Sequence, residues 1–170
     1  MYKQIAAIVI GLACTSCATT YKAEGGGATA KIRFISYAQA QTAVAALGDE
    51  HCSTSGNAGR IAVLAGPIAV KNKSLGMLGS ENVNLQYMDE AEVPAGRPFV
   101  YVFRANNFNG FRCDSAASFI PEPSQQYETS FIVEEGTCKI TLARLSLENG
   151  SVQRVKQEPH KVACTYPGNF

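Results

Sequence analysis

The sequence predicts an all-β domain, an antiparallel β-sandwich braced by two disulfides. Three observations point there. Short runs rich in Val, Thr, Tyr and Phe fill the second half of the chain, and such residues suit half-buried pleated strands. Asn109-Gly110 and Asn149-Gly150 are strong hairpin signals, because a type I′ turn needs two residues at positive φ. Four scattered cysteines, Cys52, Cys113, Cys138 and Cys164, form an even set without the close Cys-x-x-Cys pairs that zinc favours. Repeated short strands between turn signals then favour a sandwich or small barrel.

Each element follows from local pattern. Lys31 to Ser36 reads as the first strand. Thr42 to Leu47 is alanine-rich, which favours helix by propensity, but its length and neighbours favour a second strand. His51 to Arg60 is a Gly/Ser/Asn loop, and Arg60 to Leu64 a strand. Gly66 to Gly79 is an irregular connection, Val83 to Tyr87 a further strand, and Glu92 to Pro98 a turn. Phe99 to Arg104 places Phe99, Tyr101 and Phe103 on one face. Phe111 to Phe119 returns after the Asn-Gly turn and Pro121 ends it. Tyr127 to Val133 alternates, Glu135-Gly136 turns the chain, and Cys138 to Leu147 runs back. Val152 to Val155 and Lys161 to Thr165 close a predicted antiparallel meander.

Strand register sorts the cysteines. A two-residue turn at Glu135-Gly136 sets Val133 opposite Cys138. A six-residue turn after Phe119 places Cys113 beside Ile132, on the far side of the same strand. Cys113 and Cys138 are then expected ~10 Å apart, beyond the reach of about 7 Å that a disulfide tolerates. Two patterns survive: Cys52–Cys113 with Cys138–Cys164, or Cys52–Cys138 with Cys113–Cys164. The first is preferred, because Cys138 and Cys164 both lie in the C-terminal hairpin region.

The start of the chain carries a different signal. Lys3 is followed by an apolar run from Ile5 to Ala13, then by Cys14 and Cys17. The run is too short for a permanent membrane span and reads as a secretory signal. A cysteine at the cleavage point resembles the lipobox of Gram-negative bacterial lipoproteins, whose cysteine becomes the lipidated first residue. Cys17 is the preferred site and Cys14 the alternative. By the same resemblance, Ala18 after Cys17 implies sorting to the outer membrane, with the domain facing the periplasm or the cell surface. Residues 1–17 are thus expected to be the signal, 18–30 a flexible tether centred on Gly25-Gly26-Gly27, and 31–170 one β-sandwich domain.

Composition narrows the function classes. The whole chain has Lys+Arg 15 against Asp+Glu 14, and loss of Lys3 with the signal leaves the charges balanced. No basic excess argues for nucleic acid. His51 lies in Asp49-Glu50-His51-Cys52-Ser53, but sequence neighbours rarely meet in a Ser-His-Asp arrangement. His160 reads as a turn residue. Asp89, Glu90 and Glu92, like Glu134 and Glu135, read as solvated loop acids rather than an acid/base pair. No cofactor and no metal site are expected. Asn107, Phe108 and Phe111 flank the Asn109-Gly110 turn, where aromatics beside asparagines suit stacking on a sugar or peptide; they form the candidate binding loop.

The layout also resembles small uncharacterised proteobacterial envelope lipoproteins with Ig-like or other β-sandwich domains. Phe119-Ile120-Pro121, Tyr127 and Cys138 carry that resemblance, and it brings no activity with it. The expectation is a non-enzymatic, outer-membrane-anchored binding or structural module. Its partners are the membrane, through a covalent lipid, and an envelope protein or glycan. The alternatives are a small envelope hydrolase using His51, or an inhibitor of a hydrolase such as lysozyme.

Overall fold

A computed structural model describes residues 20–23, 26–56, 58–65, 72–106 and 110–168. The described residues form ten strands: β1 Thr29–Ser36, β2 Gln41–Leu47, β3 Gly59–Leu64, β4 Met88–Pro94, β5 Phe99–Asn106, β6 Arg112–Phe119, β7 Gln126–Glu134, β8 Thr137–Glu148, β9 Ser151–Gln157 and β10 His160–Val162. They pair into two five-stranded sheets, ordered β4-β1-β7-β8-β9 and β10-β6-β5-β2-β3. The predicted all-β sandwich is therefore present. One pair departs from an antiparallel meander, since β1 and β7 run parallel. The N-terminal strand enters the middle of the first sheet, between β4 and β7, where no hairpin can deliver it.

Alternation along the strands builds the core. Ile32 and Phe34 of β1, Tyr101 and Phe103 of β5, and Phe131 of β7 point between the layers and are buried. The rings of Phe103 and Phe131 stack at 5.1 Å, and Phe34 meets Tyr101 edge-on at 5.7 Å. Buried Tyr101 keeps its hydroxyl satisfied by a 3.0 Å hydrogen bond with Thr129 Oγ1 across the layers, as a buried phenol requires. A smaller cluster on the outward face of the second sheet packs Val100, Val102 and Ala116 under Cys164 and Tyr166. Buried Arg104 fixes this C-terminal cover. It grips Asp114 with two hydrogen bonds of 2.7 Å, donates to the Tyr166 carbonyl at 2.9 Å, and lies 5.0 Å from the Tyr166 ring centroid.

The turns follow their residues. Glu135-Gly136 (φ 50° and 74°) and Asn149-Gly150 (φ 52° and 76°) hold the two positive dihedrals that a type I′ hairpin demands. Val133 does face Cys138. The disulfides nevertheless are Cys52–Cys164, with Cα atoms 5.5 Å apart, and Cys113–Cys138, 6.2 Å apart. Both predicted patterns are corrected, and the reason is topological. β6 does not lie beside β7; it pairs with β5 and β10 in the other sheet. The chain changes layers between Phe119 and Gln126, so Cys113 meets Cys138 across the sandwich rather than two strands away in one sheet.

Four further expectations shift. Val83 to Tyr87 is not a strand: Leu85–Tyr87 is a 3₁₀ turn, because Asn84 Oδ1 accepts the Gln86 N–H at 2.9 Å and caps it. Asp89, Glu90 and Glu92 belong to β4 rather than a loop. Asp89 and Glu90 are buried and only Glu92 is exposed. His160 opens β10 instead of turning before it. Part of the segment assigned to a tether is engaged with the domain. The Tyr21 N–H donates to the Arg60 carbonyl at 2.9 Å, and its ring meets Phe99 at 6.1 Å. Cys14 and Cys17, like Asn107, Phe108 and Asn109, lie outside the described residues.

Candidate functional site

Residues 72–87, between β3 and β4, form a strap over the outward face of the first sheet. An irregular segment can lie against a sheet only if its backbone polar groups find partners. Here Glu90 supplies them. Its Oε2 accepts from the Ser74 hydroxyl (3.2 Å), the Leu75 N–H and the Met77 N–H (3.4 Å). Asp89 Oδ2 accepts the Lys73 N–H at 2.9 Å, and Gln126 Oε1 accepts the Leu78 N–H at 2.8 Å. Burial is the main cause that pushes the Asp89 carboxyl up to about 6, against the pull of the Lys73 N–H.

Beneath the strap lies a buried ion network. Arg33 and Glu90 are both 0% exposed. Arg33 Nε donates to Glu90 Oε1 and its Nη1 to Glu128 Oε2, each at 2.9 Å, while Nη2 reaches the Leu78 carbonyl at 3.0 Å. Arg154 on β9 closes the chain of charges by donating to Glu128 Oε1 at 2.7 Å. These residues alternate with Ile32 and Phe34 along the strands, so they face away from the core. A buried ion set holds together only when every member is hydrogen-bonded, and this one is completed by the strap's own backbone.

The strap ends in a cleft of about 370 Å³. One wall is the β1–β2 turn. Ser36 Oγ shares a 2.7 Å hydrogen bond with Thr42 Oγ1 and accepts the Ala38 N–H at 3.3 Å, while the Tyr37 N–H donates to the Phe131 carbonyl at 2.9 Å. That pinned backbone turns Tyr37 outward, 62% exposed. The other wall is the pair of 3₁₀ turns Ser80–Asn82 and Leu85–Tyr87, with Tyr87 40% exposed. Gln39, Asn82, Val83 and Asn84 line the space between the tyrosines, and no lining residue is charged. Two exposed aromatics facing amide groups can hold a small polar ligand with apolar faces.

The predicted site residues fall elsewhere. Phe111 is half-buried and packs against the main core, so it is not a projecting tip residue. Asn106 and Arg112, which flank its loop, do emerge at the cleft's end of the sandwich, since Asn106 pairs with Gln41 and Arg112. His51 is exposed. Its neighbour Asp49 uses Oδ1 to accept the backbone N–H groups of His51 (2.9 Å) and Ser53 (3.2 Å), which makes it a turn-forming residue. Glu50 accepts the Ser118 hydroxyl. Among the described residues no group of three or more His, Cys, Asp or Glu stands together as a metal site. Two other cavities border charged residues. One of about 600 Å³ between β6, β8, β9 and β10 is edged by Lys139 and Lys156, each paired, with Glu134 and Glu158. One of about 400 Å³ holds Glu50, Glu122, Glu158 and His160 at the opposite end from the cleft.

Sequence reasoning missed Tyr37 and Tyr87. The available signal was the amide-rich run Asn82-Val83-Asn84-Leu85-Gln86-Tyr87, whose asparagines favour turns over strands. Comparison with protein-family models, curated proteins and solved structures finds no match for this chain.

Proposed function

We propose that this chain is a non-enzymatic binding module, anchored by lipid to the bacterial outer membrane, that holds an envelope component in the cleft between Tyr37 and Tyr87. The lipobox-like start at Cys17, with Cys14 as alternative, supports the anchor. One observation carries the binding role: two outward tyrosines stand on backbone that a buried ion network and strand hydrogen bonds hold in place. A rigid, pre-formed site loses little freedom on binding.

Position supports the same reading. The N-terminal segment packs through Tyr21 against Arg60 and Phe99 and enters β1 at Thr29, and the cleft lies past Ser36 at the other end of β1. Strand rise puts roughly 25 Å between them, so the cleft is presented away from the anchored end.

A photo-reactive amino acid placed at position 37, 87 or 120 in intact cells tests this. Ile120 is exposed at the anchor-proximal end and serves as control. A discrete envelope adduct from positions 37 and 87 but not 120 is the expected result. Equal labelling from all three refutes the cleft as the binding site.

A further inference from the structure

We infer that the ligand of the Tyr37/Tyr87 cleft is a neutral saccharide. This rests on the binding-module reading above and names its ligand class. The lining is the evidence. Ile35, Ser36, Tyr37, Ala38, Gln39, Asn82, Val83, Asn84 and Tyr87 surround the cleft, and none carries a charge. A charged ligand would leave water without a counter-charge at the contact, which is unfavourable. Arg154 on β9 is committed to Glu128 at 2.7 Å.

The groups present match the two chemical faces of a sugar ring. Pyranose C–H faces are apolar and pack on aromatic rings; hydroxyls need donors and acceptors at the edge. Tyr37 and Tyr87 supply the ring faces. Asn84 uses its Oδ1 on the Gln86 N–H, which leaves its amide N–H groups for a ligand. Asn82 uses its Nδ2 on Glu81 Oε1 at 3.0 Å, which leaves its carbonyl oxygen as an acceptor. Donor and acceptor thus stand on the same wall, two residues apart, between the two tyrosines. The volume of about 370 Å³ lies at the lower end of ordinary ligand pockets and suits one or two sugar units, with longer chains running out past the exposed tyrosines.

The chain has 7 Tyr and no Trp, so the ring signals of tyrosine-labelled protein are few enough to follow by NMR. The experiment uses the mature, lipidated chain in phospholipid nanodiscs. The probes are tetrasaccharides of N-acetylglucosamine, of β-1,4-linked glucose and of α-1,4-linked glucose, with a neutral Gly/Ala/Ser tetrapeptide beside them. At least one tetrasaccharide is expected to shift the Tyr37 and Tyr87 rings, with Tyr37→Ala and Tyr87→Ala each weakening binding roughly 3- to 10-fold. Both residues are exposed, so the variants keep the fold; unchanged signals of Tyr101 and Tyr127 verify it. Silence from all three sugars at millimolar concentration, or a Tyr87 ring shift that keeps its affinity in Tyr37→Ala, overturns the inference. Ring shifts from the tetrapeptide alone also overturn it, yet leave the binding-module reading standing. Loss of the position-37 adduct in cells is the separate result that removes that reading.

Discussion

Arg33→Met is the sharpest test of how the strap is held. Arg33 donates to Glu90, Glu128 and the Leu78 carbonyl. After the substitution Glu128 keeps Arg154. Glu90 keeps Ser74, Leu75 and Met77 as donors but loses its cation while fully buried. Removing one partner of a buried pair costs about 3–5 kcal/mol, a large share of the ~5–15 kcal/mol that holds a typical domain. Glu90→Gln on the same background removes the stranded charge and keeps an acceptor for the strap. The double variant is expected to recover about 2 kcal/mol. Urea unfolding at pH 7 reads both numbers as shifts in midpoint at constant slope. Amide exchange at Leu75, Met77 and Leu78 reports whether the strap loosens locally. A loss under about 1 kcal/mol for Arg33→Met, or strict additivity in the double variant, refutes the claim that this network fixes the strap.

Three further outcomes follow from the same structure. Asp89 has its carboxyl raised from 3.8 to about 6, chiefly by burial. A raised carboxyl stabilises the fold fully below the unfolded value and loses that contribution as pH climbs through 6. Stability is expected to fall by about 2 kcal/mol between pH 4 and pH 7, after allowing for solvent screening. Asp89→Asn, which still accepts the Lys73 N–H, is expected to flatten that slope in thermal melts across this range; an unchanged slope assigns it to other groups. Digestion without reduction is expected to yield peptides joining Cys52 to Cys164 and Cys113 to Cys138, and a Cys52–Cys113 peptide contradicts the fold. Chain entropy makes Cys52→Ser with Cys164→Ser the costlier pair, at roughly 5 kcal/mol against roughly 3.5 for the inner bridge, as denaturant midpoints measure.

The β strands of the second half were legible because each rests on local signals. Asn149-Gly150 and Glu135-Gly136 set the two hairpins that join β7, β8 and β9, and aromatic alternation marked β5. What escaped was long-range. Nothing near Lys31 tells that β1 runs parallel to β7, and nothing near Phe119 tells that the chain changes sheets, so register arithmetic failed for Cys113. The buried acids were misread for a related reason. Glu90 looks like a loop residue until Arg33, 57 positions away, is seen beside it. The cleft was missed because Tyr37 and Tyr87 come from separate segments, each unremarkable alone. Of the candidate loop, Phe111 turns inward and packs against the core, while Asn107 and Phe108 lie outside the described residues.

The nesting of the disulfides sets a timetable for the growing chain. Cys113 has its partner 25 residues later, whereas Cys52 waits 112 residues for Cys164. Synthesis runs from the N-terminus, so Cys52 is first accompanied only by thiols that belong to each other. An oxidant that acts early can join Cys52 to Cys113 and strand Cys138. Thiolate exchange must then undo the error before the C-terminal cover can settle over Val100 and Val102. Correct maturation therefore depends on the order of oxidation, and a cell lacking disulfide isomerase is expected to accumulate mispaired chain while one lacking only speed of oxidation is not.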